Sequence, residues 1–444
     1  MKLIIFRSSK GDSLLISHAN GSGKNNHILV DGGMKGSFKK AVAPYLNKEI
    51  KGKNEDIDLL CVSHIDDDHI VGVIALMELQ AKWRVFNHHK SNPNSTANVR
   101  KPKDAEPPLI KSIWHNSFAE TYDLGDALPQ VANALQSIEQ MTAEHLNDVL
   151  LDKVNHKATS IKKGITLSQR IRPEQLNIDL NPEYNGNLVK CNQSTISKNE
   201  HKIGDINLSV IGPFQTDLTD LKEKWIKWEE EHRQELQEFY VDLSITALNQ
   251  PLSNAQISKF LINSGSITEL GVRKDVSIPN LASIMFLAEA NGKTILMTGD
   301  GHSNDIIKGL KKNKKLNSDG CLHVSVLKIQ HHGAAANIDE DFCRKITADH
   351  YVFCGNGTHT NPEEKVLEVI MNSRRGSVSE KSKNSEVNDA FTFWFSANPK
   401  DQLTDHQKEH MEKVEKKVKG YKAEYPSFNF KFMPTNKNFH KIEL

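Results

Sequence analysis

The sequence predicts an α/β protein built as a four-layer αββα sandwich, with a mostly helical insertion and a small C-terminal appendage. Three observations predict it. Two stretches, 1–85 and 201–375, alternate short β-rich runs with helical spacing. The chain between them, about 90–200, turns polar and Pro-bearing, with helical stretches. The run IDLLCVS (57–63) is nearly continuous in apolar residues, the mark of a strand buried on both faces.

Each element follows from local pattern. KLIIF (2–6), SLLIS (13–17) and HILVD (27–31), parted by Gly/Ser/Asn-rich breaks, predict three strands. The spacing of Val42, Tyr45 and Leu46 predicts a helix over 38–50. After the strand at 57–63 and the polar run His64–His69, VGVIALMELQ predicts another helix. Inside the insertion, helical stretches are expected around 128–152. Strand signal returns at DINLSVIGP (205–213). A second insertion, about 214–275, holds a charged helix over 221–239 in which Leu221, Trp225, Trp228 and Leu236 form a packing face. LASIMFLAE (281–289) and KTILMT (293–298) flank Asn291-Gly292, a hairpin signal. VSVLKIQ (324–330) and HYVFCG (350–355) complete a main domain of 1–375. FTFWFS (391–396), a Lys/Glu-rich helix over 404–420 and FNFKFM (428–433) make a strand-helix-strand extension, 376–444.

Composition sets outer bounds. With 57 Lys+Arg against 56 Asp+Glu, the net charge of +1 excludes a strongly basic nucleic-acid coat, though not a local basic groove. No apolar run reaches about 18 residues, so no membrane span is expected. MKLIIF reads as a first strand rather than a signal peptide. Five cysteines without a C-x-x-C pair argue against a disulfide framework or a thiolate zinc site, and for a reducing cytoplasm.

The chemistry is concentrated in Ser63-His64-Ile65-Asp66-Asp67-Asp68-His69, where a buried strand gives way to a helix. Five of these seven positions can ligate a metal, and adjacent carboxylates repel unless cations hold them. Thr298-Gly299-Asp300, Gln330-His331-His332-Gly333 and Asn356-Gly357-Thr358-His359 leave strands in the same way. Four strand ends, each offering Asp or His, are what a two-metal hydrolase needs.

This motif set resembles the metallo-β-lactamase-fold hydrolases, and within them it is most similar to the ComEC-like nuclease domain and its soluble relatives. Gly11-Asp12-Ser13, Asp31-Gly32-Gly33, Ser63 to Gly72, Asn280 with Ser283, Thr298-Gly299-Asp300 and Leu327 to Gly333 carry the resemblance, over about 1–85 and 203–370. It implies two divalent metal ions, zinc or manganese. His64 and Asp66 would hold one, Asp68 and His69 the other; Asp300 would bridge them, and His331 or His332 would complete the second site. The Asp66 carboxylate stands where many members have histidine, which hardens the first site and favours manganese beside zinc. The third histidine of the first site has no match; His115 is the nearest in order, and a local structural role suits it equally. Asp67 is expected to cap the helix and point away. The implied reaction is metal-assisted hydrolysis in which Asp68 and Asp300 orient the attacking water, with His359 as general acid or phosphate contact. Lys328 reads as a solvated lysine or a phosphate contact.

For the substrate, the resemblance and the basic run Lys308, Lys311, Lys312, Lys314, Lys315 point to DNA or RNA as nucleic-acid partner. A small ester, lactone or lactam would suit the same metal pair. A third possibility is a metal-stabilised subunit gated by a protein partner or a homo-oligomer. Without membrane spans, DNA uptake is not expected. Soluble relatives occur in bacterial anti-phage defence, and that role is an expectation by analogy.

Overall fold

The computed structural model describes residues 1–21, 23–92, 98–116, 163–164, 166–223, 273 and 276–444. The expected helical stretch around 128–152 and the Trp225, Trp228 and Leu236 face lie outside the described residues.

Fifteen strands form two sheets among the described residues. In chain order they are β1 (Lys2–Phe6), β2 (Leu14–Ala19), β3 (Asn25–Val30), β4 (Ile57–Val62), β5 (Ile110–His115), β6 (Asp179–Leu180), β7 (Glu200–Ile203) and β8 (Ile206–Gly212). They continue as β9 (Met285–Ala290), β10 (Lys293–Met297), β11 (Leu322–Lys328), β12 (Ile346–Phe353), β13 (Phe391–Phe395), β14 (Phe428–Phe432) and β15 (Phe439–Glu443). One sheet runs β15-β1-β2-β3-β4-β5-β6, the other β14-β13-β12-β11-β10-β9-β8-β7.

Period-two alternation sorts the apolar side chains into separate layers. Leu3 and Ile5 point between the sheets, to a cluster with Val210, Phe286 and Val326. Ile4 and Phe6, on the other face of the same strand, pack under Val42, Leu46, Ile70, Val73 and Leu76. The second sheet carries its own cover, where Ile306, Leu310, Val366, Ile370, Val414 and Val418 lie on Leu327, Phe353 and Phe393. Helix, sheet, sheet, helix is therefore the order of layers, as the sequence predicts. Each fully buried Leu, Ile or Phe in these clusters contributes roughly 1.5–3 kcal/mol.

Strands β3, β4 and β5 run parallel, as do β10, β11 and β12. Their carboxyl ends carry the polar motifs, so one rim of the sandwich receives Asp31, His64 to His69, Asp300 and the His331-His332 pair. The β9–β10 hairpin pairs Ala290 with Lys293 across Asn291-Gly292, both with positive φ, as that turn requires. β9 begins at Met285 rather than Leu281, because Ser277 and Pro279 open a short helix, Ile278–Leu281.

Residues 376–444 do more than append to the sandwich. β13 adds to β12 and β14 to β13 in parallel, while β15 pairs antiparallel with β1, Leu3 opposite Ile442. The Asp405–Glu424 helix starts with a Thr404/Gln407 capping box. All five cysteines are buried free thiols. Among the described residues, no helix is long and apolar enough to cross a membrane.

Candidate metal centre

The Asp67–Ser91 helix fixes the first motif. Its first turn crosses the loop after β3 closely enough that Gly32 N donates to His69 O (2.9 Å) and Gly72 N to Gly33 O (2.8 Å). A Cβ on Gly72 would overlap the Gly32 backbone, so only glycine permits this crossing. Asp66, not Asp67, occupies the N-cap position, and its side chain makes no cap hydrogen bond. That leaves the Asp66 carboxylate 3.6 Å from His64 Nε2. Asp67 is already inside the helix and pairs with Lys163 at 2.7 Å, so the expected capping role is not what the structure gives it.

Asp300 is the hub. Four imidazole Nε2 atoms surround its Oδ2: His69 at 3.4 Å, His332 at 3.5 Å, His331 at 3.7 Å and His64 at 3.8 Å. Asp68 Oδ2 lies 3.2 Å from His332 Nε2. Every metal-ligand candidate named from the sequence (His64, Asp66, Asp68, His69, Asp300, His331, His332) thus joins one constellation. Asp12, His69, Asp300 and His332, all buried, each place a ligand atom within 4.8 Å of the others.

The sequence motifs assigned no role to the residues behind these rings. Asp31 Oδ2 accepts from His69 Nδ1 (2.9 Å) and from Ser63 Oγ (2.7 Å), and Asp31 Oδ1 from Ser63 N (2.8 Å). Asp12 Oδ1 lies 3.1 Å from His332 Nδ1. Both carboxylates hold an imidazole from its far side, turning Nε2 toward Asp300. Their signal in the sequence was position, since each sits beside glycine near a strand end. Lys328 is neither solvated nor open to a phosphate: it is 1 % exposed, ion-paired to Asp12, 3.4 Å from Asp300 Oδ1 and bonded to Gly299 O.

Charge follows from this packing. Burial alone would raise the Asp300 carboxyl, but His69, His332, His331 and Lys328 hold it well below the usual carboxylate range. Asp68 resists burial through His332 and His69, and Asp12 through Lys328 and His332, so both are held low as well. Against the same burial, Asp300 and Asp31 lift His69 well above its ordinary value, and Asp300 with Asp12 lifts His332 to about 9. His64 goes the other way: burial and the neighbouring His69 push it down to about 3, leaving a neutral ring. The carboxylates of Asp12, Asp68 and Asp300 thus favour positive charge at this spot, and a bound cation would displace protons from the rings it meets.

Does a metal fit? His64 Nε2, His69 Nε2 and His332 Nε2 are buried and make no well-formed hydrogen bond, an arrangement costly for polar atoms without a partner. All three aim at one carboxylate oxygen. Imidazole and carboxylate donors in this number suit a divalent metal ion.

His115, the sequence candidate for a missing ligand, does not join the constellation. It is fully buried on β5, its backbone bracketed by the Asn181 amide at 2.9 Å in both directions. Burial alone pushes its pKa down to about 3, with no charged neighbour contributing. His359 stands exposed on the turn after β12, in left-handed backbone (φ 53°). Asn361 Nδ2 ties that loop to the centre by donating to His331 O at 3.3 Å.

Residues 11–120 match the family model described as Metallo-beta-lactamase superfamily, a span that includes Asp12, Asp31 and His64 to His69. Over that span the chain is similar to the metallo-β-lactamase superfamily, and the two-sheet sandwich with its outer helices is consistent with that superfamily's fold. Two solved structures align over 100 % of both chains: Zn(2+)-bound PqqB from Methylobacterium extorquens, 8 % identical with a TM-score of 0.31, and a protein of unknown function from Enterococcus faecalis V583, 9 % identical with a TM-score of 0.27. At those scores neither likeness bears on the activity. No curated protein matches the chain in sequence.

Proposed function

We propose that this domain is a metal-dependent phosphodiesterase that cleaves DNA or RNA. The observation that carries the hydrolase reading is the convergence of four imidazole Nε2 atoms on Asp300 Oδ2. A bound pair of divalent cations would supply a polarised phosphoryl oxygen and a water acidic enough to ionise near neutral pH. The protein's own groups do the rest. Asp68, partly open to solvent at 19 %, would orient the attacking water together with Asp300. His359, on the adjoining rim, is the group to protonate the leaving oxygen.

Nucleic acid is preferred over a small ester because of the ComEC-like order of motifs, from Gly11-Asp12-Ser13 to the His331-His332 pair. The lysine run does not add to that argument. It follows the Ser303–Lys312 helix, so its far members stand about 15 Å along the axis from the Asp300 end. Lys308 Nζ already covers the Phe214 ring at 3.9 Å, and Lys315 binds Glu289 at 2.6 Å. A place in anti-phage defence extends the same analogy and would be tested by phage plating on cells expressing the chain.

The test of the activity incubates the purified chain with supercoiled and linear DNA, and with RNA, in Mn²⁺, Mg²⁺ or Zn²⁺. An Asp68→Asn/His69→Ala double variant runs beside it. Cleavage by the unaltered protein alone is the expected result. Inactivity of metal-loaded protein on every nucleic acid would overturn the nuclease reading and turn attention to small esters or to a gating partner.

A further inference from the structure

The turn after β12 that carries His359 is anchored at two places. One anchor is the chain that follows the His331-His332 pair. Asn361 Nδ2 donates to His331 O (3.3 Å), Glu363 N to Gly333 O (3.0 Å) and Ala335 N to Glu363 Oε1 (2.7 Å). The other anchor is the start of the Asp405–Glu424 helix, which belongs to the C-terminal extension. There Gln407 Nε2 donates to Thr358 Oγ1 (2.7 Å) and His410 Nε2 to Pro362 O (2.9 Å). Gly357 lies so near this helix that a Cβ on it would come within 2.7 Å of Gln407 O.

Between the anchors the backbone is strained. His359 and Thr360 are both left-handed, φ 53° and 60°, and neither is glycine. L side chains rarely take that conformation, and it persists where the surroundings impose it. Hydrogen bonds inside the turn close it on itself: Gly357 N to Asn361 O (2.8 Å), Thr360 N to Gly357 O (3.2 Å) and Asn361 N to Thr358 O (3.1 Å). They fix its shape. Its orientation over the centre comes from the two anchors.

Gln407 serves the helix and the turn at once. Its Oε1 accepts from Thr404 N (3.3 Å), which completes the capping box, and its Nε2 reaches Thr358. Thr358 Oγ1 gives its single proton to Asn356 Oδ1 (2.8 Å), so toward Gln407 it acts as acceptor. A capping box is satisfied by glutamate as well as by glutamine. Glutamate would bring no proton to Thr358. The helix therefore does not require an amide at this position, and the turn does.

We propose that Gln407 is a positioning residue for His359, and that the C-terminal helix is thereby part of the hydrolytic machinery. This rests on the phosphodiesterase reading above and deepens it. In that reaction one P–O bond forms to water and another breaks. The leaving alkoxide takes a proton from His359, the attacking water releases one to solvent, and His359 is reprotonated from solvent. A nucleic-acid alkoxide is a poor leaving group, so the placement of that proton governs its rate of departure. A nitrophenolate departs without a proton and does not depend on it.

The experiment compares Mn²⁺-loaded full chains on a short DNA strand and on bis(p-nitrophenyl) phosphate. Gln407→Glu keeps the capping box and removes the donor to Thr358. Thr358→Val keeps the shape and removes the acceptor. Each should lower the ratio of kcat on DNA to kcat on the nitrophenyl ester by about tenfold or more, with KM for DNA little changed. Because both break one bond, the double variant should be no worse than either alone. His359→Asn should show the same split, and a larger one. Thermal unfolding of each variant checks the fold. Equal losses on the two substrates would reduce Gln407 to a structural contact and overturn the proposal. An unchanged ratio in both folded variants, losses that add in the double variant, or no split in His359→Asn would overturn it too. An unaltered protein that cleaves no DNA would instead remove the reading beneath it.

Discussion

Asp31 makes a sharp test at the scale of single residues, because it touches the centre only through other groups. It is fully buried and accepts from His69 Nδ1, Ser63 N and Ser63 Oγ. Asp31→Asn keeps the shape and removes the charge behind His69; metal affinity by calorimetry should fall about 10–100-fold. Lys328 gives a second test. Lys328→Met would leave Asp12 buried without its cation, and urea unfolding of the metal-free protein should register a loss of about 3–5 kcal/mol. The side chains that gather around Asp300 were named from the sequence because each lies at the end of an apolar strand. The partners were not. Nothing local tells that the lysine of VSVLKIQ turns into the interior, or that Asp12 and His332, 320 positions apart, share an edge. The doublet was ambiguous for a related reason: the two left-handed residues, invisible to any pattern of periodicity, let both rings face Asp300 Oδ2.

Among the elements, the Asp67–Ser91 helix is the one whose placement decides the site. Gly72→Ala drives a methyl into the Gly32 backbone, and relief requires the helix to shift, at a cost of about 1–3 kcal/mol. Because His69 lies three residues earlier, a lower thermal midpoint and weaker metal binding should appear together. Had the glycine been neutral, neither would change. Strands with a clear apolar run, such as β1, β4 and β14, were readable to within a residue or two. β5, β6, β7 and β15 were not, for they are short or polar on one face and owe their conformation to the neighbour they pair with. His115 illustrates the loss: without β5 the sequence left a ligand and a local structural role equally open, whereas the strand encloses it opposite Val62.

For the whole molecule, the four layers were foreseeable from alternation alone, and what escaped was how the ends of the described chain knit into both sheets. Acid stability is a property at this scale. His115 is neutral in the folded state, its pKa about 3. An unfolded histidine titrates near 6.5. Below that pH the unfolded chain takes up a proton that the folded one refuses. Stability is therefore full above pH 6.5 and declines as the pH falls toward 3, by about 1.4 kcal/mol per pH unit from this group. Thermal midpoints of the metal-free protein between pH 7 and 5 should drop, and His115→Leu should flatten the slope. The lysine run yields a contrary expectation: Lys311→Glu/Lys312→Glu should leave DNA cleavage within about twofold of the unaltered protein, its residues lying at the far end of their helix.

The pairing of β1 with β15 sets a clock on synthesis. Leu3 meets Ile442, and Leu444 N donates to Met1 O at 2.9 Å. At about 5–20 residues per second, a ribosome would need on the order of half a minute or more to deliver the second partner. Through that interval β1, apolar on both faces, has an open edge beside a finished first metal motif. A chaperone that shelters nascent sheet edges would find its substrate there, until Phe439–Glu443 arrives to close the edge.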